Sequence, residues 1–219
     1  DNIAKLQSFG NILIPAEYGE LASGLVGEGR MAEVESIVAF VEKKMEQKWK
    51  GVKVLITAGP TYEAIDPVRF SGNHSSGKMG YSISEELVLR GADVTLISGP
   101  TSLEANANVK LHSVVSASEM FEKVKSNFKD TDVVIMSAAV ADYTPKLKLN
   151  KKIKKQENTL NIELESTQDI LKYLGENKKD QKLIGFALET DNELANAKGK
   201  LERKNLDFIV LNSMQDKGA

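Results

Sequence analysis

The sequence predicts an α/β fold: a Rossmann-like, doubly wound, mainly parallel sheet with helices on both faces, preceded by an N-terminal arm. Three observations carry this reading. From Val52 onward, short apolar runs alternate with helix-length amphipathic stretches, the pattern of strand and helix units joined in a parallel sheet. Within the runs the apolar residues are mostly continuous rather than alternating, as strands covered on both faces require. With 219 residues, 41% of them hydrophobic and 27% charged, the chain can bury a large core and has the balance of a globular protein.

At the N-terminus, Ile3 to Phe9 reads as the tail of a helix and Ile12 to Ile14 as a short strand. Glu33 to Met45 reads as a helix with Ile37, Val38 and Val41 on one face. These pieces cannot close a core alone, so residues 1–50 are expected to be the end of a larger domain or an arm that packs on the rest. The seam lies in the charged stretch Glu42 to Gly51, and residues 51–219 form the second domain. Six apolar runs qualify as its strands: Val52–Thr57, Asp93–Ser98, Val109–His112, Val133–Met136, Leu183–Ala187 and Phe208–Leu211. A helix begins near Ser76, carries Met79, Ile83 and Leu87, and stops at Arg90-Gly91. Another opens on the capping-box pattern Ser116-Ala117-Ser118-Glu119 and places Met120, Val124 and Phe128 on one side. Two more run from Gln168 to Leu174 and from Glu193 to Lys204. Thr144 to Gln156 breaks the rhythm: six lysines in 13 residues, a Pro and no helical stripe predict an exposed loop or extended strap.

Several function classes are excluded or disfavoured. There are no cysteines, which removes disulfides, zinc–thiolate sites and cysteine nucleophiles. The 29 basic and 31 acidic side chains give a formal charge of -2, a poor balance for a general nucleic-acid binder. No apolar run approaches the roughly 18 residues of a membrane span, and Asp1 to Gly10 lacks the layout of a signal peptide, so no membrane partner and a cytoplasmic location are expected.

Doubly wound sheets bind ligands beyond the carboxyl ends of their strands, which gives priority to three places. The turn Thr57-Ala58-Gly59-Pro60-Thr61 lets a ligand approach the backbone at Gly59, though a plain turn fits equally well. In Arg69 to Gly80, the amides and hydroxyls of Ser75, Ser76 and Gly77 at a helix start can face an anion, with Arg69 and Lys78 adding charge; an ordinary Ser-capped helix fits the same spacing. His74 reads as a solvated loop residue or a proton-transfer group. In Ser137 to Tyr143 the small residues leave room for a ligand or for close helix packing, and Asp142 can hold a magnesium ion or a nucleotide hydroxyl, or cap a turn. The Lys-rich strap is either a solvated surface or a cover that brings ammonium groups to phosphates, and Lys200 and Lys204 share one helix face as a site or a solvated stripe. No GxGxxG or GxxxxGK[ST] pattern is present, which weakens the dinucleotide and P-loop readings.

At these residues the sequence closely resembles the phosphopantothenate-cysteine ligases of coenzyme A biosynthesis, which in bacteria are fused to phosphopantothenoylcysteine decarboxylase in one multifunctional enzyme. ITAGPT, DPVR, NHSSGKMG, AAVADY, KIKK and GFALET followed by RKNLD occur in the family's order and spacing, from about Val52 to Leu211. The resemblance implies a CTP-dependent ligase that joins the carboxylate of 4'-phosphopantothenate to CMP, releases pyrophosphate, and then lets L-cysteine's amine displace CMP. It implies that Lys152 supports acyl-cytidylate formation, that Asn73 covers the intermediate and aids its conversion to amide, and that Arg69 and Ala138 hold the substrate. It places Asp142, Gln168, Asp169, Ile170, Leu171, Phe186, Lys200 and Lys204 on the nucleotide, with Gly59, Ser75 and Lys152 added to that set and Asp142 on Mg2+. Gln168 stands where a proline is common in the family. A homodimer is implied, with the strap crossing to the partner's site.

Residues 1–50, and Leu21 to Met31 in particular, resemble the end of the fused, flavodoxin-like decarboxylase domain. Ser23 stands where many members carry a cysteine proton donor, and a hydroxyl is a far weaker acid than a thiol. The flavin-binding beginning of that domain lies outside this chain, so FMN is not expected to bind it alone and no decarboxylase activity is expected. Family members continue beyond the point matched by Ala219. Two other classes fit the sheet: a nicotinamide-dependent oxidoreductase, opposed by the missing glycine fingerprint, and a non-catalytic binding module, opposed by Asn73 and Lys152.

Overall fold

The computed structural model describes residues 2–20, 24–44, 47–154, 159–189 and 191–213. The chain divides into two units, Asp1–Gln47 and Lys48–Ala219. The first contains α1 (Asn2–Ser8), an antiparallel hairpin of β1 (Glu17–Glu20) and β2 (Val26–Arg30), and α2 (Val34–Lys44). The strand expected at Ile12–Ile14 is absent; those residues have no regular structure, and pairing begins at Glu17, where β2 supplies a ladder partner. Ala32 is the sole buried hydrophobic of this unit among the described residues, while Leu6, Phe9, Ile12, Val34, Val38 and Val41 are exposed. A unit patterned for burial thus has no core of its own.

The second unit runs β3 (Lys53–Ala58), β4 (Tyr62–Ala64), β5 (Phe70–Gly72), α3 (Lys78–Leu89), β6 (Asp93–Ser98), β7 (Lys110–Ser113), α4 (Ala117–Phe128), β8 (Val133–Met136), β9 (Tyr143–Pro145), β10 (Leu164–Ser166), α5 (Ile170–Asn177), β11 (Lys182–Glu189), α6 (Glu193–Arg203) and β12 (Phe208–Ser213). One sheet has the order β12-β11-β8-β3-β6-β7, and every neighbouring pair in it is parallel. All six predicted strands are in this sheet, with ends moved by a residue or two. The chain leaves β3 outward through β6 and β7, then crosses to β8 on the other side of β3 and continues through β11 to β12. The order therefore reverses between β3 and β8, and sheets of this kind take ligands beyond the carboxyl ends of their strands near such a reversal.

Both faces of the sheet are covered, which is why its strands are apolar throughout. Leu55 packs with Met120, Val124 and Leu174 on the α4–α5 side, while its neighbours Val54 and Ile56 pack with Tyr81 and Leu87 of α3 on the other. Truncating such a fully buried side chain to Ala costs about 2–5 kcal/mol.

Helix starts follow local chemistry. Ser116 caps α4 by accepting from the Glu119 amide at 3.2 Å, and the Glu119 carboxylate accepts from the Val115 amide at 2.7 Å. Asp169 caps α5 by accepting from the Lys172 amide at 2.9 Å, so that helix opens at Ile170 rather than Gln168. Helix α3 opens at Lys78 rather than Ser76, because Gly77 is left-handed with φ 78°. A Cβ on Gly77 would come within 3.2 Å of the Gly59 amide nitrogen, so this turn and the one after β3 meet backbone to backbone.

Two antiparallel pairs lie outside the main sheet, β4 with β5 and β9 with β10. The second bears on the expected exposed loop or extended strap from Thr144: its start is extended, but as a paired strand with Pro145 buried. Thr144 and Pro145 belong to β9, and Lys146 continues the pairing by donating its amide to the Glu163 carbonyl at 3.0 Å. The partner strand comes from well beyond the lysine run, so nothing local signalled it. Residues 155 and 156 of the predicted strap lie outside the described residues. No helix among the described residues is long and apolar enough to cross a membrane.

Candidate functional site

Beyond the carboxyl ends of β8 and β11 lies a cavity of about 660 Å³. One wall is the strand-end loop with Ala138 and Asp142, a second is the run Gln168, Asp169, Ile170 and Leu171 at the start of α5, and a third carries Phe186 of β11 with Lys200 and Lys204 of α6. The loop is stitched to the turn after β3. The Ala139 amide donates to the Gly59 carbonyl at 2.9 Å, the Thr61 amide to the Ala139 carbonyl at 3.2 Å, and the Ala141 amide to Thr61 Oγ1 at 2.9 Å.

The charges in the cavity are held by specific partners. Lys200 Nζ donates to the Phe186 carbonyl at 2.7 Å. Burial lowers its ammonium pKa, opposed by the carboxylates of Glu189, Asp142 and Asp169 and reinforced by Lys204. Lys204 Nζ donates to Asp169 Oδ2. Burial alone would raise the Asp169 carboxyl, but hydrogen bonds from Lys204 and the Lys172 amide, with the charges of both lysines, hold it below its ordinary value. Asp142 is exposed; its carbonyl accepts from the Thr167 amide at 2.9 Å. Among the described residues no three His, Asp or Glu side chains cluster as a metal cage. One carboxylate at the cavity nevertheless suits a magnesium ion that keeps waters and shares substrate phosphates, the usual habit of that ion.

The other predicted residues fall into two groups outside the cavity. Asn73, just after β5, donates Nδ2 to the carbonyls of Ala139 and Val140, both at 3.3 Å, and so sits over the loop that carries Ala138. Ser75 Oγ accepts from the Gly77 amide at 3.3 Å and Ser76 Oγ from the Lys78 amide at 3.4 Å, so of the three amides expected to face an anion, those of Ser75, Ser76 and Gly77, the last is satisfied locally. Gly59 is left-handed, with φ 73°. Arg69 donates Nη1 to Asp66 Oδ2 at 2.7 Å, and Lys152 is exposed on the strap; neither lines the cavity of its own chain. His74 is exposed. Ser23 lies outside the described residues.

Sequence reasoning missed Arg203, Tyr143, Ser166 and Thr167, all of which line the cavity. Arg203 was detectable, since it falls three residues after Lys200 on the same helix. Ser166 and Thr167 were not, because the pairing of β10 with β9 delivers them.

The sequence profile of the DNA/pantothenate metabolism flavoprotein C-terminal domain matches residues 49–219. The chain belongs to this family. It is 49% identical over 226 residues to a cysteine/cysteine sulfinic acid decarboxylase from an unknown prokaryotic organism, covering 100% of this chain and 63% of that protein. It is 48% identical over 223 residues to the coenzyme A biosynthesis bifunctional protein CoaBC of Bacillus subtilis (strain 168), covering 100% of this chain and 55% of that protein. The crystal structure of the C-terminal domain of a coenzyme A biosynthesis bifunctional protein CoaBC superposes with a TM-score of 0.67 at 52% identity, over 74% of this chain and 76% of that one. The chain thus spans between half and two thirds of the curated relatives it matches.

Proposed function

We propose that this chain is a CTP-dependent phosphopantothenate-cysteine ligase acting in cytoplasmic coenzyme A biosynthesis. The supporting observation is the cavity beyond the carboxyl ends of β8 and β11. It gathers the Asp142 carboxylate, the Phe186 ring, two lysines and a helix start from four separate stretches of sequence, in a chain 48% identical to a coenzyme A biosynthesis protein. In this reading the carboxylate oxygen of 4'-phosphopantothenate attacks the α-phosphorus of CTP and pyrophosphate leaves. Cysteine's nitrogen then attacks the acyl carbon, loses a proton and expels CMP.

The cavity residues bind the nucleotide. Lys200 and Lys204 supply positive charge, Phe186 and the Gln168–Leu171 run pack against it, and Asp142 takes a ribose hydroxyl or a magnesium ion. That ion, when bound, offsets the charge that builds on the phosphate oxygens. Lys152 brings an ammonium to the same oxygens as the α-phosphorus is attacked. Asn73 lies over the Ala138–Val140 loop, where its amide donates to the acyl oxygen of the intermediate without attacking the ester. Arg69 and Ala138 hold phosphopantothenate. Because Lys152 does not line its own chain's cavity, we assign it to the cavity of a second copy, which makes a homodimer the working unit. Residues 1–50 are assigned to the end of a decarboxylase domain.

The experiment is pyrophosphate release from CTP, with ATP in parallel, in magnesium and 4'-phosphopantothenate, before and after adding cysteine. Release that needs phosphopantothenate, prefers CTP and yields an amide once cysteine is present supports the ligase. No release with either nucleotide from a folded dimer overturns it. The 49% relative's name supplies a second reading, decarboxylation of cysteine or cysteine sulfinic acid, which would appear as carbon dioxide without pyrophosphate when cysteine, or cysteine sulfinic acid in its place, is added.

A further inference from the structure

Asp66 lies in the turn between β4 and β5 and is 2% exposed. One oxygen serves the turn: Oδ1 accepts from the amides of Val68 at 2.8 Å and Arg69 at 2.9 Å. An asparagine would do that as well, since such a turn needs one acceptor. The second oxygen has other partners. Oδ2 accepts from Arg69 Nη1 at 2.7 Å and from the amide of Ile153, 87 residues further along the chain, at 3.1 Å. The same Nη1 donates to the Ile153 carbonyl at 3.3 Å. Both backbone polar groups of Ile153 are therefore tied to the Asp66–Arg69 pair, and the Leu149 amide adds a tie to the Ile65 carbonyl at 3.1 Å. Lys152 is the residue immediately before Ile153. Burial alone would raise the Asp66 carboxyl, but the amides of Ile153, Val68 and Arg69 and the Arg69 charge bring it down to about 2, so it is ionised wherever the enzyme works.

We infer that Asp66 is the positioning residue of the Lys-rich strap: its buried carboxylate, with Arg69, clamps Ile153 and so sets where Lys152 is presented for the nucleotide step. The kinetic half of this inference rests on the ligase reading; the clamp itself does not. A carboxylate closing only its own turn has no use for a second oxygen facing the strap. An extended backbone with exposed lysines also has few other means of fixing one ammonium to the tolerance that catalysis demands.

Asp66→Asn separates the two functions, because the amide can turn its oxygen to the Val68 and Arg69 amides and leave its NH2 facing the Ile153 amide, donor against donor. Ile153→Pro removes the strap's donor and leaves the turn intact. In the full chain, both variants are expected to speed tryptic cleavage after Lys151 or Lys154; the bond after Lys152 is left out of the comparison because trypsin does not cut before proline. Both should lower kcat for acyl-cytidylate formation on the order of ten- to a hundredfold with KM for CTP unchanged. The double variant should be no worse than either alone, as members of one unit are non-additive. A purely structural Asp66 would instead lower the melting temperature of Asp66→Asn while Ile153→Pro kept normal cleavage and kcat, and that result overturns the clamp. Faster cleavage with unchanged kcat overturns the positioning role. If the unmodified chain releases no pyrophosphate, the ligase reading fails separately and the cleavage rates alone decide the clamp.

Discussion

The cavity and the strap are both rich in lysine, yet they hold their lysines differently. In the cavity, Lys200 and Lys204 stand on a helix packed against the sheet and are anchored at their tips, one to the Phe186 carbonyl and the other to Asp169. In the strap the side chains of Lys148, Lys151, Lys152 and Lys154 are exposed and the backbone is anchored at Lys146, Leu149 and Ile153, with a tip held at the root, where Lys146 Nζ donates to Glu163 at 2.8 Å. Tip-anchored cations are placed before a ligand arrives and suit binding. Backbone-anchored cations keep a mobile head on a fixed root, which suits a group needed only as charge develops. Substitutions in the cavity should therefore appear in affinity, and substitutions in the strap in rate.

The sharpest test of that division is Lys152→Ala. We expect acyl-cytidylate formation to fall by a factor on the order of a hundred or more, with CTP affinity and the melting temperature near normal. A large loss of CTP affinity instead would move Lys152 to the binding side. Asn73→Asp addresses the second step: the intermediate should form and then accumulate, because a carboxylate cannot donate to the acyl oxygen, and quenched-flow detection of the acyl-cytidylate reads it directly. Unchanged amide yield would remove Asn73 from that role. On the cavity side, Lys200→Met should weaken CTP about tenfold, the loss of one charge-assisted contact, with the first-step rate at saturating CTP little changed. Calorimetric titration and single-turnover rates separate the two.

The smallest effect concerns the root of the strap. The folded pKa of Asp66 is about 2, lowered from 3.8, so the carboxylate stabilises the fold at pH values above about 4 and that contribution is lost as pH falls toward 2. The melting-temperature gap between the wild-type chain and Asp66→Asn should be constant from neutral pH down to about 4 and close below it. A gap that persists at pH 2 would mean that the ionised carboxylate is not what stabilises the turn.

The cavity was more legible than the strap for a physical reason. Asp142, Lys200 and Lys204 follow a strand or lie on a helix, where position along the element guides where a side chain stands, while Phe186, inside β11, came only through the family resemblance. The clamp on Ile153 joins positions 87 residues apart through backbone groups that every residue carries, so no residue type announces it. The same holds for β9 and β10, whose pairing turns the root of an apparent loop into a strand. Ile12 to Ile14 erred in the other direction: apolar residues without a ladder partner do not make a strand.

Local sequence determined the six core strands, their burial on both faces, the caps of α4 and α5, and which side chains stand at strand ends, because periodicity and capping act within a few residues. The tertiary structure alone decided that β3 and β8 lie side by side and that the cavity opens beyond the ends of β8 and β11. It alone decided that Ser166 and Thr167 join the cavity, that Lys204 is held by Asp169, and that a buried aspartate grips the strap. Each of these depends on which distant segments meet, and that is set by the packing of the whole domain rather than by any short stretch of it.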